Sequence, residues 1–94
     1  MDDLSGRLVI SVAGRDKGLT LCVVRTEGDY VFLCDGKLRK LESPKKKKYK
    51  HVKPIVDAPD EFLAKVDTHK LTNRMLRQLI NRYLLSQDSL TAHD

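Results

Sequence analysis

The first half of the chain alternates between short apolar runs and small clusters of turn-forming residues. Each run is four to eight residues long, and most are rich in β-branched or aromatic side chains, which indicates strands. The predicted strands are Arg7–Ala13, Leu19–Thr26, Tyr30–Cys34, Leu38–Leu41 and His51–Val56. Several short strands with turns close together predict a mainly β fold of about five short strands, arranged as a small closed or nearly closed barrel.

Two of these strands carry specific expectations about their side chains. Tyr30–Cys34 is apolar on both faces, which is typical of a strand sandwiched inside a small barrel. Leu38 and Leu41 bracket two cationic residues, so both leucines are expected to point inward at the ends of a short strand.

The second half of the chain contains a helical pattern. Residues Leu71–Gln87 carry an apolar stripe at helical spacing, and Thr72 suits the N-cap, with Leu71 and Leu76 placed for a hydrophobic staple. The stripe consists of Leu76, Leu79, Ile80, Tyr83 and Leu84. Packing against the chain's own sheet is the expected fate of this stripe, and docking into a partner's groove is the alternative.

Charge is concentrated in one block. The chain has a net charge of +5, but residues 36–53 alone carry +8, whereas residues 1–35 carry −2 and residues 54–94 carry −1. A cationic block of this kind predicts a polyanionic partner, either a nucleic acid or an anionic surface.

Four adjacent lysines, Lys45–Lys48, lie in this block after Ser43 and Pro44. Proline cannot donate to a strand ladder, and neighbouring like charges repel, so a mobile loop without a strand partner is predicted over residues 44–50. The alternative is a solvated segment that protects a sheet edge.

These patterns together predict the domain organisation of the chain. A barrel over 1–57 contains the basic loop at 44–50, and a linker with a possible short helix follows over 58–70. The amphipathic helix spans 71–87, and a frayed tail spans 88–94.

The stretch from Ile10 to Val24 has the order strand, tight turn, strand. Its turn, residues 14–18, reads GRDKG, and glycine at both ends suits positive φ or close backbone approach. Arg15 and Lys17 then point into water at a defined position. An ordinary hairpin with a solvated tip is the alternative interpretation.

The sequence AGRDKG followed by LCVV resembles the KOW motif of ribosomal and transcription-elongation proteins. Over roughly residues 6–54 the chain is similar to the KOW branch that contains archaeal and eukaryotic large-subunit ribosomal proteins, and to small bacterial KOW-domain RNA-binding proteins. Many KOW motifs carry another glycine shortly after the Lys-Gly pair, and residues near Leu21 provide none. The resemblance implies an SH3-like β-barrel with a C-terminal α-helix that binds RNA, with the turn at 14–18 as one contact.

Charge and resemblance together define the candidate site. Most of the affinity is expected from neutralisation of the RNA backbone by the basic block, and Tyr49 is expected either to stack on a base or to pack. The candidate RNA-binding residues are Arg15, Lys17, Lys37, Arg39, Lys40, Lys45, Lys46, Lys47, Lys48, Tyr49, Lys50 and Lys53, with Gly14 and Gly18 shaping the turn. The expected partner is ribosomal RNA, with ribosomal proteins as further partners and a monomeric free state. A protein-interaction module and a DNA-binding protein are the alternatives.

Other chemistry receives little support from the sequence. Cys22 and Cys34 are expected to be buried thiols, with a cross-hairpin disulfide as the less favoured alternative. A zinc site built from these thiols with His51 and His69 lacks the spacing of known ligand sets, so no metal or other cofactor is predicted. No nucleophile–base pattern or phosphate loop is present, which predicts that the protein is not an enzyme. The start of the chain has no apolar segment, which predicts a cytoplasmic protein with no membrane association.

Overall fold

The computed structural model describes residues 4–57, 63–65 and 69–91. Five antiparallel strands form one sheet, and a C-terminal helix follows them, so the mainly β prediction is confirmed. The elements are β1 (Arg7–Ser11), β2 (Thr20–Glu27), β3 (Tyr30–Cys34), β4 (Lys45–Lys48), a 3₁₀ turn (Tyr49–His51), β5 (Val52–Asp57) and α1 (Asn73–Thr91). The strand order is β4-β3-β2-β1-β5, with free edges at β4 and β5, so the sheet is open and barrel closure stays a prediction.

Strand register in the central hairpin depends on one irregularity. Glu27 pairs with Tyr30, which makes the β2–β3 connection a two-residue loop. A β-bulge between Val23 and Arg25 then shifts the register by one residue and brings Cys22 opposite Cys34. Both cysteines are free and buried, as expected for structural thiols.

The sheet has a buried cluster on each face because side chains alternate between faces along every strand. The inner cluster contains Leu4, Val9, Leu21, Val23, Val31, Leu33 and Val52. The outer cluster contains Leu8, Cys22 and Cys34 of the sheet together with Leu76 and Ile80 of α1. The helix therefore packs on its own sheet through the apolar stripe, although Leu84 remains 43% exposed at the far end.

The start of α1 is defined by its cap. Thr72 Oγ1 accepts a hydrogen bond from the amide of Met75 at 3.2 Å, and Leu71 packs on the outer cluster together with Leu76. The helix begins two residues later than predicted and extends through Thr91, so residues 88–91 are helical where a frayed tail was expected. Residues 92–94 of that tail lie outside the described residues.

Two local predictions are wrong. Residues 38–41 are not a strand: the chain bends there, and Leu38 is 70% exposed instead of pointing inward. The fourth strand is instead Lys45–Lys48, which pairs with β3 where a mobile loop was expected. In the predicted linker, residues 63–65 are helical, and the rest of the possible short helix lies outside the described residues.

The fifth strand shows why a proline is tolerated in this sheet. Pro54 pairs with Val9 on the edge strand β5, beside a register shift between Leu8 and Val9. An edge strand has a neighbour on one side only, and proline is tolerated there where its nitrogen faces the open side or where a bulge interrupts the ladder. Across the described ranges, no helix combines the length and apolarity that a membrane-spanning segment needs.

Helix docking generates a stability prediction. Leu76→Ala is expected to lower the free energy of unfolding by about 3 kcal/mol, because Leu76 is fully buried between α1 and the sheet. Leu85→Ala is the matched control: it lies on the same helix, is 66% exposed, and is expected to change stability by less than about 0.5 kcal/mol. Urea denaturation followed by circular dichroism measures both, and equal effects would contradict the docked position of α1.

Candidate nucleic-acid interface

The turn at residues 14–18 is closed by backbone hydrogen bonds at its base. The amide of Gly18 donates to Ser11 O at 2.8 Å, and the amide of Leu19 donates to Asp16 O at 3.0 Å. Gly14 and Gly18 have φ values of +83° and +92°, which L-residues with a side chain rarely adopt. Arg15 and Lys17, between the glycines, are exposed. The turn therefore has a defined backbone with two cationic side chains on its outside.

A buried ion pair joins this turn to β4. The ammonium group of Lys47 lies against Asp16 Oδ1, and it also donates to Ser11 Oγ at 2.8 Å and to Ala13 O at 2.6 Å. The side chains of Lys47 and Asp16 are only 7% and 11% exposed. Ser11 Oγ in turn donates to Asp16 Oδ1 at 2.8 Å. Three hydrogen-bond acceptors thus surround the buried ammonium group of Lys47.

The protonation of Asp16 follows from these contacts. Burial by itself raises the pKa of this carboxyl, but hydrogen bonds from Lys47 and Ser11 and the positive charge of Lys47 outweigh it. The pKa of Asp16 is therefore lowered from its ordinary value of 3.8. Within the described residues, Oδ2 of Asp16 is buried without a hydrogen-bond partner, so Oδ1 accepts the bonds that stabilise the carboxylate. The carboxylate is ionised at neutral pH and faces a cation.

Alternation along β4 explains why four lysines form a strand. Lys47 pairs with Val31 and points to the inner face, whereas Lys46 and Lys48 are exposed on the outer face. Neighbouring charges are therefore separated onto opposite faces, and the buried charge of Lys47 is neutralised by Asp16. Lysine is also common on edge strands, where it discourages pairing with other chains. The prediction of a loop from charge repulsion is wrong for this physical reason.

A groove of about 990 Å³, here called the basic groove, lies between the turn and β4. Cationic side chains from three separate segments line it: Arg15 from the turn, Arg39 from the loop after β3, and the β4 lysines Lys45, Lys46, Lys47 and Lys48. Among its described lining residues the one acid is Asp16, which is already paired with Lys47. The groove therefore presents a strongly positive surface to solvent.

The other candidate residues lie elsewhere. Lys37 and Lys40 line a second groove of about 710 Å³ between the loop after β3 and α1, here called the helix groove. Lys50 lines a smaller pocket of about 390 Å³ with Lys48 and Tyr49. Lys17 is exposed on the turn outside the described lining of all three, and Lys53 is exposed on β5 at the opposite edge of the sheet.

The aromatic residues divide between packing and surface. Tyr49 is half-buried and packs against the inner cluster. Of the two expectations for this residue, stacking on a base or packing, the structure shows packing. Tyr30 lines the basic groove, and Lys46 Nζ lies 4.4 Å from the centre of its ring. Arg25 lies 4.0 Å from the ring centre of Phe32 on the same face of the sheet. Sequence reasoning missed Tyr30 as a surface residue because its strand looked fully buried.

A tight loop after β3 displays a residue that the sequence pattern did not single out as functional. Leu38 lines both the basic groove and the helix groove, and Leu19, 38% exposed, also lines both. We call these two side chains the leucine ridge. The alternation of Leu38 and Leu41 with cationic residues favoured a strand, and only the hydrogen bonds of Asp35 to the loop amides reveal the bend.

The cysteines are poor candidates for chemistry. Burial raises the pKa of the Cys22 thiol to about 12 and that of Cys34 to about 11, so both are protonated at neutral pH. Over the part of the chain that the structure describes, no three His, Cys, Asp or Glu side chains are placed to hold a metal ion.

Comparison with known proteins adds no family assignment. No family model matches the chain, and the search of curated proteins found no match. The resemblance to KOW proteins therefore rests on the motif at residues 10–24 alone.

The buried ion pair generates a stability prediction. Lys47→Met is expected to lower the free energy of unfolding by about 3 kcal/mol, because it leaves the Asp16 carboxylate buried without its counter-charge. Lys48→Met removes the same charge from an exposed position of the same strand, and we expect a change below about 0.5 kcal/mol. The double variant Lys47→Met/Asp16→Asn should regain part of the loss. Denaturant unfolding measures all three, and equal losses for the two single variants would refute a structural role of the pair.

The lowered pKa of Asp16 generates a pH prediction. Because the carboxyl has a lower pKa in the folded chain than in the unfolded chain, its ionised form stabilises the fold above the ordinary pKa of 3.8. That contribution is lost as the pH falls through the folded-state pKa. The stability of Asp16→Asn should therefore decline less between about pH 5 and pH 3 than that of wild type. Asp29→Asn, at an exposed turn position, is the control and should follow the wild-type profile.

Proposed function

We propose that this protein binds RNA through the basic groove. The observation that carries the proposal is the convergence of cationic side chains from three separate chain segments on one concave surface. Attraction to phosphate supplies most of the affinity of such a surface and does not require a reading of base sequence. Folded RNA suits this mode because side chains cannot read the narrow, deep groove of its helices, and recognition relies on shape and backbone.

The two parts of the site have different roles in this proposal. Arg15, Arg39, Lys46 and Lys48 are exposed and contact phosphates directly. Lys47 is a positioning residue, because its ammonium group holds the turn at 14–18 against β4 and with it the location of Arg15. Lys37, Lys40 and Lys50 lie in neighbouring depressions and widen the positive surface.

The fold is compatible with an SH3-like barrel of the KOW type. The two edge strands, β4 and β5, are consecutive in the chain and are joined by the three-residue 3₁₀ turn Tyr49–His51. The end of one edge strand therefore lies within one turn of the start of the other, which is what a nearly closed five-stranded barrel requires. The AGRDKG turn connects β1 and β2, as the resemblance to KOW proteins implies.

Ribosomal RNA is the proposed ligand, and the cytoplasm is the proposed location, on the strength of that motif. Pull-down from lysate with and without ribonuclease, followed by sedimentation through a gradient, tests association with ribosomal particles. DNA binding is tested by adding a DNA competitor of matched length to the bound RNA, since phosphate contacts alone do not discriminate the two polymers. Docking of a partner protein on the helix stripe is less favoured, because that stripe packs on the chain's own sheet.

Salt dependence provides the quantitative test. The triple variant Arg15→Ala/Arg39→Ala/Lys48→Ala removes three exposed charges that line the basic groove. The slope of log affinity against log salt is negative, and each lost phosphate contact reduces its magnitude by about 0.7 to 0.9. We therefore expect the magnitude to fall by about 2. Fluorescence titration of a ribosomal RNA hairpin at three or more salt concentrations measures it.

A second triple variant is the control, because it has the same net charge as the first triple variant. Lys70→Ala/Arg74→Ala/Arg82→Ala also removes three exposed positive charges, but these residues lie outside the described lining of both grooves. We expect its slope to stay within about 0.5 of the wild-type slope. Equal slopes for the two triple variants would show that total charge, and not the groove, determines binding, and would overturn the proposal.

A further inference from the structure

The loop after β3 holds an apolar side chain in solvent by a set of hydrogen bonds. The carboxylate of Asp35 accepts from the amides of Lys37 and Arg39 at 2.9 and 2.8 Å. The carbonyl of Arg39 accepts from the amides of Asp35 and Gly36 at 2.9 and 3.1 Å. Leu38 lies at the outside of this closed loop and is 70% exposed. An ordered loop therefore presents this leucine between two cationic residues.

The helix fixes the position of that loop. Arg77 Nη1 donates to Gly36 O at 2.7 Å, and Asn73 Oδ1 accepts from the amide of Leu41 at 2.8 Å. Gly36 has a φ of +80°, and a Cβ at this position would collide with the carbonyl of Asn73. The close approach of helix and loop thus requires glycine. Contacts with α1 therefore fix the loop on both sides of Leu38, at Gly36 and at Leu41.

The surroundings of the leucine ridge are cationic on both sides. Leu38 and Leu19 line the basic groove together with Arg39. They also line the helix groove, where the cations Lys37, Lys40 and Arg77 outnumber the one acid of the described lining, Asp35. The two leucines therefore lie where the two positive surfaces meet. A nucleic-acid chain that crosses from one groove to the other must pass over the ridge.

Contact with a phosphate does not bury apolar surface favourably, whereas contact of an apolar side chain with the face of a base does. Bases in a continuous RNA helix are stacked, and their faces are covered by their neighbours. The exposed leucines can therefore reach a base face only where a nucleotide is unpaired. Proteins bind single-stranded nucleic acids by positive grooves with aromatic side chains that stack on base faces, and leucine is among the apolar side chains that insert against unstacked bases.

We propose that the leucine ridge contacts an unpaired nucleotide of the RNA while Lys37 and Arg39 neutralise the flanking phosphates. This inference rests on the RNA-binding function proposed above and narrows its ligand class to RNA with a bulged or single-stranded nucleotide. The base covers Leu38, and burial of part of this side chain predicts a preference for bulged over continuous stems of about five- to tenfold.

Two RNA hairpins of the same stem sequence test the inference, one continuous and one with a single unpaired nucleotide in the stem. Wild-type protein is expected to bind the bulged hairpin about five- to tenfold more tightly at one salt concentration. Leu38→Ala should abolish this preference and keep both the affinity for the continuous hairpin and the salt slope. Leu85→Ala is the matched control, since Leu85 is 66% exposed and lies outside the described lining of both grooves. Its preference should equal that of wild type, and thermal melting of each variant verifies folding.

Equal binding of the two hairpins by wild-type protein would overturn the inference and leave the proposed function intact. A Leu38→Ala variant that keeps the full preference would also overturn it, because other residues would then recognise the unpaired nucleotide. Absence of binding to either hairpin would instead overturn the proposed function, and this inference with it.

Discussion

The buried ion pair between Lys47 and Asp16 is the interaction on which the shape of the basic groove depends. It joins the end of β1, the turn at 14–18 and the edge strand β4, which are far apart in the sequence. Removal of two charges from water is unfavourable, and the contact offsets this only because Ser11 and the Ala13 carbonyl complete the coordination of the ammonium group. Lys47 has its charge neutralised inside the fold, and its contact with the turn holds Arg15 in the same groove as the exposed lysines of β4.

The outer face of the sheet is divided into two halves with different surroundings. At the end that carries Cys22 and Cys34, the helix covers the strands and buries Leu76 against them. At the other end, Arg25 and Lys46 lie over the rings of Phe32 and Tyr30. Cations over aromatic faces retain most of their hydration and shield the rings. The covered half stabilises the fold, and at the open half Tyr30 and Lys46 belong to the lining of the basic groove.

The helix also positions part of the proposed interface, although it contributes little charge to it. Asn73 and Arg77 bind the backbone of the loop after β3, and Gly36 permits their close approach. Arg39 and Leu38 therefore depend on a helix that begins more than thirty residues later in the chain. A loop that is bound in this way presents its side chains at lower conformational cost than a free loop.

Local patterns in the sequence determined the central strands, the helix and its Thr72 cap, because alternation, helical spacing and capping act between near neighbours. Strand β3 was predicted with its observed bounds, Tyr30–Cys34. The lysine strand and the exposed position of Leu38 were decided by tertiary structure. Repulsion within Lys45–Lys48 predicts a loop until Asp16, 31 positions from Lys47, neutralises the inward charge. The basic groove likewise exists only in three dimensions, because its cations come from segments that the sheet topology brings together.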